Sequence, residues 1–211
     1  MLKIKKTVLP SPEQWEIIIE GMRNPMNSWG KSDSVVGYDG SMILGENDHK
    51  LMTSLAKGGA VHAKYRRMIP VFLTINAPLY WWKEMDRYRV GVEMNSCSTM
   101  HKIHAKRFEL EDFSHEHIDA HGSLPLLEKC IMVLNNHREN YLETKSKNDW
   151  WQMIQLLPTS YNQTRTVMLN YEVLVNIYHS RKYHKLDEWH TFCDWIETLP
   201  YSELITGEYD D

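Results

Sequence analysis

The amino-acid sequence predicts an α+β fold with a small sheet. Segments with helix signals outnumber the β-branched or alternating segments that are typical of strands. The 211 residues are 42% hydrophobic and 25% charged, which is the usual balance of a globular domain with a buried core. No repeat, low-complexity tract or Ser/Pro/Gly linker interrupts the chain. We therefore predict a single domain over residues 1–211, with a frayed acidic tail at 207–211.

Charge and cysteine content restrict the protein's partners and compartment. The formal net charge of −4 provides no global basic field, which counts against a nucleic-acid partner. The three cysteines are an odd number without CxxC spacing, and this fits a reducing compartment. The basic N-terminal segment is not followed by an apolar run, and no apolar run is long enough to span a bilayer. We predict a soluble, cytoplasmic protein with no membrane partner.

The first third of the chain has clear helix boundaries. Residues 1–10 are predicted as a strand or arm, and Ser11-Pro12 marks the start of a helix that Asn24-Pro25 ends. Residues 26–45 are rich in glycine and turn signals, so we predict loops there. A second helix is predicted from Asn47-Asp48 to the glycine pair Gly58-Gly59.

The remainder alternates between strand and helix patterns. Residues 67–76 form a β-branched apolar run that suits a buried strand, and Pro78 opens a helix that continues to about Asp86. A further strand is predicted at Tyr88–Met94. Three further helices are predicted, at 124–145, 163–181 and 186–198.

The chain is rich in large, adaptable side chains. Eight Trp, eleven Tyr and twelve Met exceed what a core of this size requires. Such residues often line ligand clefts and subunit interfaces, although composition alone favours a large, Trp-rich core. Trp81-Trp82 and Trp150-Trp151 are either base-stacking platforms or pairs with one buried and one interfacial ring.

The most informative segment runs from residue 62 to residue 104. Arg87-Tyr88-Arg89 falls where a predicted helix meets a predicted strand. Guanidinium forks match phosphate oxygens, and the aromatic ring can stack on a planar ring system. Residues 95–99 carry small hydroxyl and amide side chains, which favour exposed backbone N–H groups suited to an anion. The alternative is a surface arginine pair followed by a helix cap.

This segment resembles the flavin-dependent thymidylate synthases. Their signature motif is RHRxxSxNExSxR, where x is any residue. Arg87-Tyr88-Arg89 stands for RHR, and the polar residues 95–99 stand for the end of the signature. Asn76-Ala77-Pro78 falls where the family has its AP-initiated helix. His62 has the spacing of a flavin-contacting histidine.

A second part of the chain extends the resemblance. The segment Leu157-Pro158-Thr159-Ser160-Tyr161 is similar to the family's LP…Y step. Asn170, Asn176 and Arg181 then match three of the four positions of its N-x-R…N…R helix. The resemblance covers residues 62–104 and 150–190 in the family's order.

The resemblance implies a fold, a cofactor and a reaction. The expected fold is a small antiparallel sheet flanked by helices, assembled into a homotetramer that binds FAD between subunits. NADPH reduces the flavin, and methylenetetrahydrofolate supplies a one-carbon unit to carbon 5 of dUMP, where it becomes a methyl group. No cysteine nucleophile is required.

The resemblance also assigns roles to individual residues. Arg181 is the expected catalytic group beside the uracil ring, where a fixed cation favours the N3-ionised base. The residues expected at the flavin, some of them also at folate, are His62, Arg87, Tyr88, Arg89, Asn170 and Asn176. Those expected at the nucleotide are Glu84, Asn95, Ser96, Cys97, Ser98, Thr99 and Arg181.

Several positions depart from the family pattern. Thr99 stands for the closing arginine of the signature, and Ile154 for a phosphate-binding arginine. Each lost arginine removes charge-assisted hydrogen bonds of about 1.5–3 kcal/mol, so affinity for dUMP falls by orders of magnitude. The phosphate is then held by other cations, such as Lys102, Arg107 or Lys147, or the chain no longer makes thymidylate.

Other departures concern the substrate base and the signature itself. Glu84 replaces a substrate-contacting glutamine and Glu172 replaces the arginine of N-x-R. Because a carboxylate accepts from an exocyclic amine, a cytosine nucleotide is one expected alternative substrate. Three positions of the signature are also replaced: His by Tyr88, Ser by Val92 and Glu by Asn95. The alternative function is a catalytically retired member that acts as a nucleotide-binding or protein-interaction module.

Two further constellations carry competing interpretations. The histidines and acids between Asp112 and His121 have metal-like content, but no matched partner is evident. We interpret them as a solvated loop or a pH-sensitive surface patch, and we predict no metal site. Cys97 lies among polar residues that could begin a helix, where a thiolate is favoured, but no Cys-His-Asn arrangement accompanies it.

Overall fold

The computed structural model describes residues 1–207, which form a mixed α and β fold. One sheet contains four strands in the order β1-β4-β6-β5, and a two-stranded hairpin pairs β2 with β3. The strands are β1 (Lys3–Val8), β2 (Val35–Val36), β3 (Met42–Ile43), β4 (Pro70–Pro78), β5 (Glu93–Ser96) and β6 (Asn162–Asn170). The helices are α1 (Pro12–Arg23), α2 (Glu46–Lys57), α3 (Leu79–Met85), α4 (Ser123–Thr144), α5 (Lys147–Leu156), α6 (Tyr171–Arg181), α7 (Asp187–Glu197) and α8 (Glu203–Thr206).

Side-chain hydrogen bonds fix the register between β4 and β6. Asn76 Nδ2 donates to Thr164 Oγ1 at 3.0 Å, and the hydroxyls of Thr74 and Thr166 lie 3.4 Å apart. From Thr74 to Asn76 the position on β4 increases by two, while the partner on β6 decreases from Thr166 to Thr164. The two strands are therefore antiparallel. The prediction of a small antiparallel sheet flanked by helices is therefore confirmed.

The chain divides into two compact units. The first contains Met1–Lys5, Thr74–Arg87 and Met94–Thr166, and the second contains Lys6–Leu73, Tyr88–Glu93 and, of the described residues, 167–207. In the first unit α4 packs against α5. The core there is built from Ile103, Phe108, Phe113, Leu127, Ile131, Leu134 and Met153.

In the second unit α6 packs against α7 and α8. Its fully buried side chains include Tyr171, Leu174, Ile177, Trp189 and Phe192. The hydroxyl of Tyr171 donates to the carbonyl of Pro200 at 2.6 Å, and burial raises the pKa of this phenol. The tyrosine therefore remains a neutral structural donor.

Helices with strong terminal signals form as predicted. At the start of α1, Ser11 N donates to Gln14 Oε1 at 2.9 Å, and Gln14 N donates to Ser11 Oγ at 3.4 Å. This capping box satisfies two of the N–H groups that a helix start leaves without partners. Helices α2, α3, α4 and α7 also begin and end close to their predicted boundaries.

Two predicted elements are wrong. Residues 162–170 form β6, so the helix predicted at 163–181 begins only at Tyr171, where the Asn170 side chain accepts from Val173 N at 3.1 Å. Strand β5 covers Glu93–Ser96 instead of 88–94, because Gly91 adopts φ +74° in the turn before it. Helices α5 and α8 were not predicted.

Three remaining sequence expectations concern the aromatic residues, the tail and membranes. Trp81 and Trp82 are both fully buried, with ring centroids 4.8 Å apart, so neither lies at an interface. Of the predicted frayed tail at 207–211, only Gly207 belongs to the described residues. Between residues 1 and 207, no helix is both long enough and apolar enough to cross a membrane.

Candidate active site

The second unit brings Tyr88 and Arg181 into direct contact. Arg181 Nε donates to the Tyr88 hydroxyl at 2.8 Å, although 93 residues separate them. The guanidinium carbon lies 5.0 Å from the ring centroid of Trp189 and 5.6 Å from that of Tyr88. The two rings meet edge to face with centroids 6.1 Å apart. Cation–π contact and the hydrogen bond together hold Arg181 in one orientation.

Asn170 lies where β6 ends and α6 begins. Its Oδ1 accepts from Val173 N, so the side-chain amide Nδ2 is left as a donor. A Cβ on Gly91 would lie 3.1 Å from this Nδ2 and 3.3 Å from Val173 Cγ2. Gly91 therefore permits a close approach of the backbone to the Asn170 amide.

His62 lies at the edge of an apolar cavity of about 420 Å³. The cavity walls include Met22, Leu55, Tyr65 and Met68. A Cβ at Gly58 would lie 3.1 Å from the His62 ring, so glycine allows the imidazole to pack against the end of α2. The volume and the apolar wall suit a planar ring system.

The carboxylates at positions 84 and 172 each face an arginine. In the second unit Glu172 Oε2 lies 3.9 Å from Arg66 Nη1, and Arg66 is almost completely buried. In the first unit Glu84 Oε2 accepts from Arg87 Nη1 at 3.3 Å. The Arg87 side chain is 70% exposed, so this pair is weak in water.

The other residues expected at the flavin lie at the surface. Arg89 and Asn176 are exposed, and Tyr88 is half-buried. Guanidinium and amide groups at the surface are chemically suited to the oxygen atoms of a ligand. They also fit a site that a second chain completes.

Residues 95–99 include the last two residues of the edge strand β5 and the three residues after it, in the first unit. Cys97 N donates to Thr164 O at 2.9 Å, and Gln163 Nε2 donates to Cys97 O at 2.7 Å. Ser98 Oγ accepts from the backbone N–H groups of Met100 and His101. Within this segment the backbone N–H of Cys97 therefore already has an acceptor, and the Ser98 hydroxyl accepts from two N–H groups while its own O–H can donate.

Sequence reasoning missed a polar network around Arg165. Its Nη1 donates to Asp86 Oδ1 at 2.7 Å, and its Nε donates to Gln163 Oε1 at 2.9 Å. The guanidinium carbon lies 4.4 Å from the ring centroid of Trp82. Positions 163 and 165 share one face of a strand, so a period-two interpretation of this segment predicts the contact between Gln163 and Arg165, but not those with Asp86 and Trp82.

The histidine-rich loop has local contacts in the structure. His115 Nδ1 hydrogen-bonds to the Phe113 carbonyl at 2.8 Å, and Asp119 Oδ2 accepts from Gly122 N at 2.7 Å. In the part of the chain that the structure describes, no group of three or more His, Cys, Asp or Glu residues could hold a metal ion.

The three cysteines are expected to react with alkylating reagents in a fixed order. Cys97 is exposed, whereas burial raises the pKa of Cys130 and raises that of the 4%-exposed Cys193 to about 11. Because only the thiolate reacts, iodoacetamide at neutral pH should modify Cys97 first and Cys193 last. Peptide mass spectrometry measures the order, and Cys97→Ser should remove the fast phase. Equal rates at Cys97 and Cys193 would contradict this environment.

Comparisons with known proteins show which fold this is. No protein-family model and no curated protein matches the sequence. Thymidylate synthase X (ThyX) from Helicobacter pylori, with FAD and dUMP, is 18% identical with a TM-score of 0.66, covering 99% of this chain and 97% of that chain. Another structure of that organism's flavin-dependent thymidylate synthase, complexed with FAD and dUMP, is 18% identical with a TM-score of 0.63, covering 98% and 97%.

A methylase shares the same architecture. The UMP/dUMP methylase PolB from Streptomyces cacaoi, bound with 5-Br dUMP, is 11% identical with a TM-score of 0.62, covering 98% of this chain and 94% of that chain. The chain therefore has the fold of the flavin-dependent thymidylate synthases, which is the family that its sequence resembles.

Proposed function

We propose that this protein is a flavin-dependent enzyme that methylates carbon 5 of a pyrimidine nucleotide. The observation that carries the proposal is the contact between Tyr88 and Arg181. The sequence resemblance assigns Tyr88 to the flavin and Arg181 to the uracil ring, and the fold brings these residues, 93 positions apart, into contact. The similarity in fold to structures that hold FAD and dUMP, over nearly the whole length of both chains, supports the proposal.

The residues of this chain fit a flavin dinucleotide. The apolar cavity beside His62 suits a planar ring, the Asn170 amide offers a donor, and the exposed Arg87 and Arg89 suit a diphosphate. The bound flavin would supply hydride-transfer chemistry. We propose FAD as the cofactor, NADPH as reductant and methylenetetrahydrofolate as the one-carbon donor. A homotetramer completes the site, which accords with the exposure of Arg87, Arg89 and Asn176.

Arg181 is the proposed catalytic residue. A guanidinium fixed beside the base stabilises the negative charge that N3 ionisation places on the ring. Tyr88 acts through Arg181 and is a positioning residue, because its hydroxyl accepts from Arg181 Nε and its ring packs against the same Trp189. The catalytic cation is thus oriented before the nucleotide binds.

The carboxylates help to define which base is bound. Glu172 faces the buried Arg66, which ties its charge to the protein interior. Glu84 pairs with the exposed Arg87 at 3.3 Å, and the sequence resemblance assigns this position to the substrate. We propose that Glu84 contacts the base, and that a base with an exocyclic amine gains a hydrogen bond there.

One observation favours the alternative of a retired, nucleotide-binding family member. Ile154, at the position expected for a phosphate-binding arginine, packs against the hydrophobic core of the first unit. Since this position supplies no charge, phosphate affinity depends on other cations. A retired member would still bind nucleotide or flavin but would show no turnover.

Replacing Arg87 or Arg89 by Ala is expected to weaken FAD binding about tenfold to a hundredfold, because each change removes a charge-assisted contact to phosphate. Both side chains are exposed, so the midpoint of thermal unfolding of the apoprotein should hardly change. Titration of apoprotein with FAD, followed by flavin fluorescence, measures the affinity. Lys129→Ala, which removes an exposed cation from α4, is the control. Unchanged FAD affinity in both variants would contradict the assignment.

A further inference from the structure

A second cavity, of about 360 Å³, lies between α1 and the loop that follows it. Ile19 and Met42 form apolar parts of its wall, Trp29 adds an aromatic side chain, and Glu16 and Glu20 contribute carboxylates. None of these residues belongs to the proposed flavin or nucleotide site. The volume is in the range that holds a small organic molecule.

The polar floor of this cavity is already satisfied. Arg23 Nε donates to Asp48 Oδ1 at 2.6 Å, and Asp48 Oδ2 accepts from the hydroxyls of Ser32 and Ser34 at 2.8 and 2.7 Å. The positive charge of Arg23 is therefore neutralised by Asp48 and is not available to an anion. This network makes the floor rigid, so the cavity is formed before any ligand enters.

Trp29 provides a fixed aromatic platform. Its Nε1 donates to Asn24 Oδ1 at 2.9 Å, which sets the orientation of the indole. The side chain is nevertheless 48% exposed. An oriented, half-exposed indole is a favourable surface for an aromatic body or a cation.

Glu16 and Glu20 lie one turn apart on the cavity side of α1. Among residues 1–207, no Lys, Arg or His lies within ion-pair distance of either carboxylate. Like charges at this spacing destabilise a helix, so the pair has no structural benefit. Together with the neutralised floor, the two carboxylates give the cavity a net negative character that a cation would complement.

We propose that this cavity binds a small organic cation that carries an apolar or aromatic body. The ammonium group lies between the carboxylates of Glu16 and Glu20, and the body packs on Trp29 and Ile19. Charge complementarity excludes nucleotides and other phosphates from this site. The proposal is independent of flavin binding and of the nucleotide reaction.

Isothermal titration calorimetry with three indole probes tests the proposal on the full chain. Tryptamine should bind saturably, tryptophol should bind at least tenfold more weakly because it lacks the charge, and indole-3-acetate should not bind. The double variant E16Q/E20Q should bind tryptamine with an affinity at least tenfold lower. Trp29→Ala should lose it as well, and Trp29→Phe should restore part of it.

Glu128→Gln is the matched control, because it removes one carboxylate from an exposed position on α4. It should leave tryptamine affinity unchanged. Equal affinities for tryptamine and tryptophol, or full binding by E16Q/E20Q, would overturn the proposal. Binding of N-acetyl-argininamide without binding of tryptamine would also overturn it, since the cavity would then receive an arginine side chain of a partner protein.

Discussion

Replacing Asp48 by Ala is expected to lower the free energy of unfolding by about 3–5 kcal/mol, because it leaves the buried Arg23 without its counter-charge. Asp48 is completely buried and the Arg23 side chain is only 3% exposed. The carboxylate also accepts from the backbone N–H groups of Asp33 and Ser34, so several donors lose their acceptor at once. The substitution thus removes one charge of an ion pair whose two side chains are both almost completely buried.

Urea denaturation followed by circular dichroism measures the effect of Asp48→Ala. Asp194→Ala, at an exposed position of α7, is the control and should change the unfolding free energy by less than about 0.5 kcal/mol. The double variant R23M/D48L should recover part of the loss, because it removes both buried charges. An unchanged urea midpoint for Asp48→Ala would show that the pair is not structural.

The same carboxylate makes stability depend on pH. Burial raises the pKa of Asp48, but hydrogen bonds from Ser34, Ser32 and Arg23 outweigh it and hold the pKa below its usual value of 3.8. The folded state then binds the proton more weakly than the unfolded state does. The contribution of Asp48 is therefore complete above about pH 4 and is lost as the pH falls through the lower folded-state pKa. Asp48→Asn should remove this part of the acid sensitivity.

Replacing Arg181 by Ala is expected to reduce turnover at least about a hundredfold while FAD remains bound. The guanidinium contacts Tyr88 and Trp189, and we have assigned it to the base rather than to the flavin. The structural cost includes the hydrogen bond to Tyr88 and the cation–π contacts with Tyr88 and Trp189, about 1–2 kcal/mol. Folded, yellow protein with little activity is therefore the expected result.

Single-turnover flavin oxidation with dUMP, dCMP and related nucleotides measures this effect. Tyr88→Phe should lower the rate constant less than Arg181→Ala does, because it removes only the positioning hydroxyl. Lys182→Ala changes the adjacent cation, which lies over other rings, and should have little effect. Full turnover by Arg181→Ala would remove Arg181 from the catalytic role.

Local signals predicted the elements that begin and end with strong boundary residues. Ser11 and Gln14 give α1 its capping box, and the glycines at 58 and 59 end α2. The segment at 163–181 was harder, because the apolar residues of β6 run directly into those of α6. Only the helix cap at Asn170 separates the two elements, and the apolar pattern that continues across it gives no sign of this boundary.

The candidate site was predictable as a set of residues but not as a set of contacts. Motif order identified Tyr88 and Arg181, yet their hydrogen bond spans 93 positions and depends on the tertiary fold. Glu172 was visible as a departure from the family pattern, whereas its partner Arg66 was not. Arg165 was missed because its strand had been predicted as a helix.

Uptake of FAD by the purified protein tests the central claim most directly. The protein, stripped of bound cofactor and titrated with FAD at neutral pH, should become yellow and saturate at one FAD per chain, with quenched or shifted flavin fluorescence. Thermal unfolding should move to a higher temperature in proportion to FAD occupancy. A folded protein that takes up no FAD, and whose unfolding temperature FAD does not change, would contradict the account.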